Sequence, residues 1–323
     1  MNVNSKINKI RLAHKNGNLK SLLHSKLKEK EYRIKLKLMH KGTTSYVKDA
    51  IEAELGRRYI EKEYAWYLDS PKKNYVIGKE LPLPKVIWWC WFQGLNEAPP
   101  LVKMCFDSIR RNFRGYKINV ITLDNLKKYV DIPNYIMIKF KSGIISYAQF
   151  SDIIRILLLA KYGGVWIDST VYCSNSRIVS IIEKQDFFVY QNGLLGNNQD
   201  IKISSWFMSA KQKNIFVSEV KELMLHYWKN HDFLENYFLV HLFFTLVSEK
   251  YPEEWKKVPV FNNVSPHMMV RELNESFSQD RYNQLNSFSS LHKLNHHVEF
   301  NSNSDTLYRW LLQKSENYQE NYN

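Results

Sequence analysis

Two charged side chains stand alone in a long apolar stretch of the chain. Asp152 and Arg155 are the only ionisable residues between Ala148 and Ala160. Residues three apart share one face of a helix, so the two charges form either a local ion pair or one edge of a site for a polar ligand. A local pair of this kind contributes little stability, and the pattern by itself leaves both interpretations open.

A further carboxylate, Asp168, follows that stretch after Gly163-Gly164 and a short apolar run. A glycine pair is a typical helix end, so Asp168 falls near the end of the strand predicted after it. A carboxylate there can hold a divalent cation that neutralises a diphosphate. The segment Asp-Ser-Thr is also common in turns, so Asp168 alone is weak evidence.

The elements that must position these charges alternate between strands and helices after Pro84. We predict strands at 86–92, 116–123, 165–172, 187–190, 203–209 and 258–261, and helices at 99–113, 146–162, 216–228 and 233–250. The alternation predicts an α/β fold, with a mostly parallel sheet flanked by helices. Such sheets bind ligands beyond the carboxyl ends of their strands, which is where Asp168 falls.

The net charge of +14 is concentrated at the N-terminus, because residues 1–48 hold 13 Lys and Arg against two Glu. A helical pattern over 5–40 with a thin apolar stripe predicts either an amphipathic helix on an anionic membrane or a solvated helical extension. Breakers between Ser70 and Pro84 separate this part from the α/β pattern. We therefore divide the chain into a basic helical extension (1–80), an α/β domain (81–300) and a C-terminal tail (301–323).

The cysteines and apolar runs indicate the cellular compartment. Cys90, Cys105 and Cys173 cannot form a complete disulfide framework, which favours a reducing cytosol. The N-terminus does not resemble a signal peptide, and the longest uncharged apolar stretch, 237–247, is too short to cross a bilayer. We expect a cytoplasmic protein that lies peripherally at the inner face of the plasma membrane.

The string Ser151-Asp152-x-x-Arg155 and then Tyr162-Gly163-Gly164-Val165-Trp166-Ile167-Asp168 resembles the S-D-x-x-R…G-G-x-(Y/W)-x-D pattern of glycosyltransferases with the GT-A fold. The closer resemblance is to the capsular polysaccharide synthesis glycosyltransferases, similar to glycosyltransferase family 32. Further matching segments, in chain order, are Ile87-Trp88-Trp89, Gln93-Gly94, Pro99-Pro100-Leu101-Val102, Ser205-Trp206-Phe207, Tyr237-Phe238-Leu239 with His241, and His292-Lys293-Leu294. The resemblance spans roughly residues 84–296, and several segments in the right order make it specific.

The resemblance implies a GT-A-like, Rossmann-like fold and a nucleotide-sugar donor, of which a UDP-sugar is the first candidate. It implies that Asp152 and Arg155 contact the donor sugar and its phosphates and that Asp168 lies at the metal and the diphosphate. These three are the predicted catalytic residues. The predicted donor site adds Trp88 or Trp89 near the base and Trp166 near the ribose, together with Ser205, Trp206 and Lys293. Core packing is the alternative for each tryptophan.

A departure from the pattern affects the cation. The family places a second carboxylate two residues after Asp168, where this chain has Thr170, which offers a hydroxyl without a charge. The resemblance suggests His292 as the missing ligand, and a surface-loop histidine is the alternative. We expect Mn²⁺ or Mg²⁺ at Asp168, Thr170 and His292, bound weakly. Without a cation, Arg155 and Lys293 become the phosphate-neutralising groups.

The predicted function is transfer of a sugar to a cell-surface or capsular polysaccharide acceptor, lipid-linked and with retention of configuration. His241 either faces the cleft or belongs to the core, and the core is favoured. The first alternative is a nucleic-acid-binding protein, which the charge distribution opposes because the excess Lys is far from the aromatic clusters. The second is an inactive partner in a polysaccharide assembly complex.

Overall fold

The computed structural model describes residues 45–73, 81–192, 200–297, 299–301 and 305–320, with a few single positions between residues 11 and 34. The helices are α1 (Ser45–Glu63), α2 (Ala65–Asp69), α3 (Pro100–Asn112), α4 (Asn134–Lys141), α5 (Tyr147–Tyr162), α6 (Arg177–Ile182), α7 (Ile215–Asn230), α8 (Leu239–Lys250), α9 (Pro252–Trp255), α10 (Met269–Glu272), α11 (Gln279–Phe288) and α12 (Leu307–Glu320). The strands are β1 (Val86–Cys90), β2 (Lys117–Ile121), β3 (Gly164–Ile167), β4 (Val171–Cys173), β5 (Phe187–Gln191), β6 (Ile203–Ala210) and β7 (Leu291–Lys293).

A five-stranded sheet in the order β2-β1-β3-β6-β5 forms the centre of the molecule. Strand β1 runs parallel to β2 and β3, and β6 runs antiparallel to both of its neighbours. Four of the five strands therefore point the same way. The predicted α/β fold with a mostly parallel sheet flanked by helices is confirmed.

Side chains of the sheet alternate between two buried layers. Trp88 and Trp166 pack on one face, with apolar side chains of α5, α7 and α8. Ile87, Trp89 and Val165 pack on the other face, with α3, α11 and α12. The apolar strands are buried on both faces because helices cover both, as is usual for parallel sheets.

The strand predicted over 165–172 is wrong as a continuous element. The amide of Asp168 donates to the Trp206 carbonyl (2.9 Å), and the Asp168 carbonyl accepts from the Val171 amide (3.1 Å), so a turn separates β3 from β4. Strand β4 leaves the central sheet and pairs antiparallel with β7. The strand predicted over 258–261 is also wrong, since the pairing there is an isolated bridge between Gln191 and Asn262.

The chain on either side of the α/β region also packs against it. In α1 and the residue after it, Ile60 and Tyr64 join the same apolar layer as α8. In α12, Leu307 and Leu311 join the layer that contains α3. The proposed division at residues 80 and 300 stays a prediction. The predicted helix over 5–40, with most of the basic segment 1–48, lies outside the described residues. Among the residues that are described, no helix is both long and apolar enough to cross a bilayer.

Candidate active site

The junction between α5 and β3 brings the predicted charges together. Ser146 caps α5 by accepting a hydrogen bond from the Gln149 amide. The helix then ends at Gly163 (φ 66°), and Gly164 (φ 95°) begins β3 without an intervening loop. A Cβ on Gly164 would lie 2.6 Å from the Val86 carbonyl oxygen, so only glycine fits against β1. The tight reversal places the end of β3 beside the middle of α5.

Arg155 and Asp168 form a buried ion pair at this junction. Arg155 Nη2 donates to Asp168 Oδ1 over 2.7 Å, and Arg155 Nη1 donates to Asp152 Oδ1 over 2.6 Å. The Trp166 indole N–H donates to the same Asp168 oxygen over 2.8 Å, and the guanidinium lies 4.8 Å from the Trp166 ring centroid. The Arg155 side chain is only 4% exposed. The structure thus assembles Asp152, Arg155 and Asp168 as predicted, and it adds Trp166 as their support.

Lys293 completes the cluster from a distant part of the sequence. Its ammonium donates to Asp168 Oδ2 over 2.9 Å and to Thr170 Oγ1 over 2.8 Å. The register of β4 against β7 puts Val171 opposite Lys293, and the Leu294 amide donates to the Thr170 carbonyl. Backbone pairing therefore holds Lys293 over the turn that contains Asp168.

The two carboxylates of the cluster differ in their proton affinity. Burial alone would raise the pKa of Asp168, but the charges of Lys293 and Arg155 and the Trp166 N–H hold it below the ordinary value. Burial raises the pKa of Asp152 to about 6 against the opposing charge of Arg155, and the negative charge of Asp168 adds to the rise. Asp168 is therefore ionised at neutral pH, and Asp152 loses its proton at a pH just below neutral.

An open cavity of about 780 Å³ lies over this cluster, beyond the carboxyl ends of β1 and β3. Its wall includes five of the predicted site residues in addition to Asp152 and Asp168, namely Arg155, Trp166, Thr170, Ser205 and Lys293. Ser151 and Ser169 contribute further hydroxyls. The volume is in the range of pockets that hold ligands of nucleotide size.

Three of the predicted donor-binding tryptophans do not line this cavity. Trp88 packs between Tyr129 and Tyr162, and its indole N–H donates to the Gly163 carbonyl over 2.9 Å. Trp89 is fully buried on the opposite face of the sheet. Trp206 stacks on Tyr190 and donates to Asn263. The donor-site assignment of these three is corrected, because strand alternation directs each indole into a buried layer.

Besides Trp166, the cavity wall includes Trp91, just after the end of β1. Its indole Nε1 is buried and has no hydrogen-bond partner among the residues that the structure describes. It was not predicted as a site residue, although the rule that ligands bind beyond strand ends favours the last tryptophan of the run. Tyr147 and Tyr237 also line the cavity, and 56% and 62% of their surfaces are exposed.

His241 contacts the cavity as well, although the core was the favoured alternative. It lies in the first turn of α8, and its Nδ1 atom is buried, with no hydrogen-bond partner in the described part of the chain. Burial, with a smaller contribution from Arg155, lowers the pKa of His241 to about 3. The imidazole is therefore neutral at physiological pH.

The third predicted metal ligand, His292, lies away from the other two. Its Nε2 atom is 3.2 Å from Ser174 Oγ and 3.2 Å from Asn286 Oδ1, and the residue is fully buried. Asp168 and Thr170 both bind the Lys293 ammonium instead. In the described part of the chain, no group of three or more His, Cys, Asp or Glu could hold a metal ion. These donors do not fit a divalent cation, since one carboxylate and one hydroxyl already share a lysine.

Proteins with an open α/β sheet bind ligands beyond the carboxyl ends of the strands, and the charged cavity of this protein lies in that place. The chain belongs to the capsular polysaccharide synthesis protein family, because a model of that family matches residues 28–311. This confirms the resemblance seen in the sequence. The fold is also weakly similar to a solved structure described as PaToxG glycosyltransferase, with 12% identity over 64% of this chain and 83% of that chain and a TM-score of 0.35. No curated protein matches in sequence.

Proposed function

We propose that this protein is a glycosyltransferase of the GT-A type that moves a sugar from a nucleotide-sugar donor, a UDP-sugar, to a capsular or other cell-surface polysaccharide. The observation that carries the proposal is the cluster of Arg155, Lys293 and Asp168 at the base of the cavity. Membership in the capsular polysaccharide synthesis family supports the class of product. The activity belongs to the hexosyltransferases.

The cluster suits the charge change of sugar transfer. The bond between the anomeric carbon and a phosphate oxygen breaks, and negative charge develops on the leaving nucleoside diphosphate. Arg155 and Lys293 are held in place by Asp168 before the donor arrives, so little reorganisation is needed during the reaction. A guanidinium also binds phosphate oxygens in pairs, which orients the diphosphate.

The remaining wall residues suggest how a donor would lie. Asp152, beside Arg155, is placed to accept hydrogen bonds from sugar hydroxyls. Trp91 offers a flat apolar surface and a free N–H, which suits a nucleobase. Trp166 is 1% exposed beneath Arg155, so we assign it to positioning the guanidinium and not to stacking on the ribose.

Two exposed tyrosines line the part of the cavity that we assign to the acceptor. Tyr147 and Tyr237 expose aromatic faces at the cavity, and such faces pack against the apolar sides of sugar rings. Retention of configuration follows from the family resemblance alone. The basic segment 1–48 would hold the enzyme at the cytoplasmic face of the membrane, where a lipid-linked acceptor is presented.

A panel of nucleotide sugars tests the proposal. Purified protein is incubated with UDP-, GDP-, dTDP- and CMP-sugars, and both the thermal unfolding temperature and the release of free nucleotide are measured. One donor should raise the unfolding temperature and be slowly hydrolysed. Stabilisation without turnover, even with polysaccharide added, would favour an inactive partner in an assembly complex. No effect from any donor would contradict the proposal.

A further inference from the structure

We propose that Lys293 occupies the place of the divalent cation, so that this site binds a nucleoside diphosphate without a metal. The inference rests on the proposed function and specifies how its donor site neutralises the diphosphate. The Lys293 ammonium group binds the same two side chains, Asp168 and Thr170, that were expected to hold the cation.

Every oxygen expected to hold the cation is already bound to a donor. Asp168 Oδ1 accepts from Arg155 and Trp166, and Asp168 Oδ2 accepts from Lys293 over 2.9 Å. Thr170 Oγ1 accepts from the same Lys293 ammonium over 2.8 Å. A cation that used Asp168 Oδ2 and Thr170 Oγ1 would have to displace Lys293 and would be repelled by Arg155.

The strand register prevents His292 from completing a metal site. In the β4–β7 ladder, His292 is opposite Tyr172 and Lys293 is opposite Val171. Successive side chains of a strand point to opposite faces, so Lys293 faces Asp168 while His292 faces Ser174 and Asn286. Bringing His292 to Asp168 would require β7 to slip by one residue, which would also move the fully buried Leu291 to the other face of the β4–β7 pair.

The two cations of the cluster are paired with its two carboxylates. Among the described residues, Asp152 and Asp168 are the acidic ones that line the cavity, and Arg155 and Lys293 balance them. An ammonium has three N–H donors, and the structure gives Lys293 two partners, which leaves one donor for a phosphate oxygen. A bound diphosphate would therefore meet two fixed cations without a metal bridge.

The affinity of the unmodified protein for nucleoside diphosphates tests this directly. UDP, GDP, dTDP and ADP are each titrated calorimetrically into the full chain, first after dialysis against EDTA and then with Mn²⁺ or Mg²⁺ added. At least one should bind, with dissociation constants that agree within about twofold in the two conditions. Binding that needs the metal would overturn the inference and leave the proposed function standing. No binding in either condition would overturn both.

Variants at residue 293 separate its charge from a structural role. Lys293→Ala should weaken binding by about tenfold or more, the scale of one charged hydrogen bond. Lys293→Arg should keep most of the affinity and remain indifferent to EDTA. Lys256→Ala removes an exposed lysine that pairs with Glu253, and it should change nothing. Circular dichroism checks the fold of each variant. Unchanged affinity in a folded Lys293→Ala protein would overturn the inference.

Discussion

Asp168 organises the site through its two oxygens, each of which has a different task. Oδ1 accepts from Arg155 and Trp166, which fixes the guanidinium on the indole face. Oδ2 accepts from Lys293, which ties β7 to the turn after β3. A carboxylate in this position keeps two cations close together that would otherwise repel each other. Both cations therefore lie at the cavity before an anionic ligand enters.

At the same scale, Trp88 in β1 and Trp91 just after it should have different roles, the first in the stability of the fold and the second in binding of the donor. Trp91→Ala should weaken binding of the nucleotide donor severalfold with a small loss of stability, because Trp91 lines the cavity. Trp88→Ala should instead lower the free energy of unfolding by about 3–5 kcal/mol, because a buried aromatic is lost. Calorimetric titration and urea unfolding of both variants measure the two effects. The reverse pattern would return Trp88 to the donor site.

The protonation of Asp152 should appear in the pH dependence of transfer. Its pKa is raised to about 6, so the carboxylate dominates above that pH and the neutral acid below it. If the carboxylate is the form that orients Arg155 and receives sugar hydroxyls, kcat/KM falls as pH decreases through about 6. Initial rates between pH 5 and pH 8 test this, since the range spans the raised pKa. The Asp152→Asn variant should transfer sugar slowly, and its pH profile should lack this inflection. An inflection that persists in Asp152→Asn would show that another group titrates.

At the scale of elements, the α5–Gly–Gly–β3 unit positions the site, and its geometry makes a stability prediction. Gly164→Ala should lower the free energy of unfolding by more than about 1 kcal/mol, because φ is positive and the new Cβ meets the Val86 backbone. Gly115→Ala is the matched control, since Gly115 has a similar φ (82°) but open space at its Cβ. Denaturant unfolding compares them. Equal losses would show that backbone strain alone matters.

The sequence predicted this unit well because its information is local. An apolar helix of period 3.6, a glycine stop and an apolar strand are all readable within residues 146–168. The charges on the helix and at the strand end were therefore placed together correctly. The break of the strand at Asp168 was not readable, since it depends on the Trp206 carbonyl from β6.

The features that could not be predicted depend on pairing between strands that are far apart in the sequence. Strand β7 has only three residues, and its register against β4 determines whether His292 or Lys293 reaches the cavity. Helix α11 was not predicted, because its polar residues obscure the apolar stripe, and α4 was not predicted, because it is a mostly apolar run of only eight residues. Strand alternation determines which face of the sheet each tryptophan of β1 occupies. The cavity is formed by loops whose positions cannot be read from the sequence.

At the scale of the whole molecule, the distribution of charge predicts membrane binding. Residues 1–48 hold most of the net charge, and each basic residue near an anionic surface contributes about 1 kcal/mol. Deleting residues 1–44 leaves α1 intact and should abolish co-sedimentation with phosphatidylglycerol vesicles at low salt. Neutral phosphatidylcholine vesicles are the control. If the shortened chain binds the anionic vesicles as well as the full chain, the membrane role of this segment is refuted.

Asp168, at the end of β3, holds Arg155 and Lys293 at the proposed donor site. Nucleotide release from the preferred nucleotide sugar by wild type, Asp168→Asn and Thr170→Asp measures how much turnover depends on it. Asp168→Asn should lower the rate by roughly a hundredfold or more, the scale of losing preorganised charge stabilisation. Thr170→Asp should be tolerated better, because the Lys293 ammonium can pair with the added carboxylate.

Asp124→Asn, a change at an exposed residue, is the control for this measurement, and the unfolding temperature shows that each variant is folded. We expect wild-type rates for Asp124→Asn and near loss of turnover for a folded Asp168→Asn. Equal turnover by wild type and Asp168→Asn would show that Asp168 has no role in the reaction.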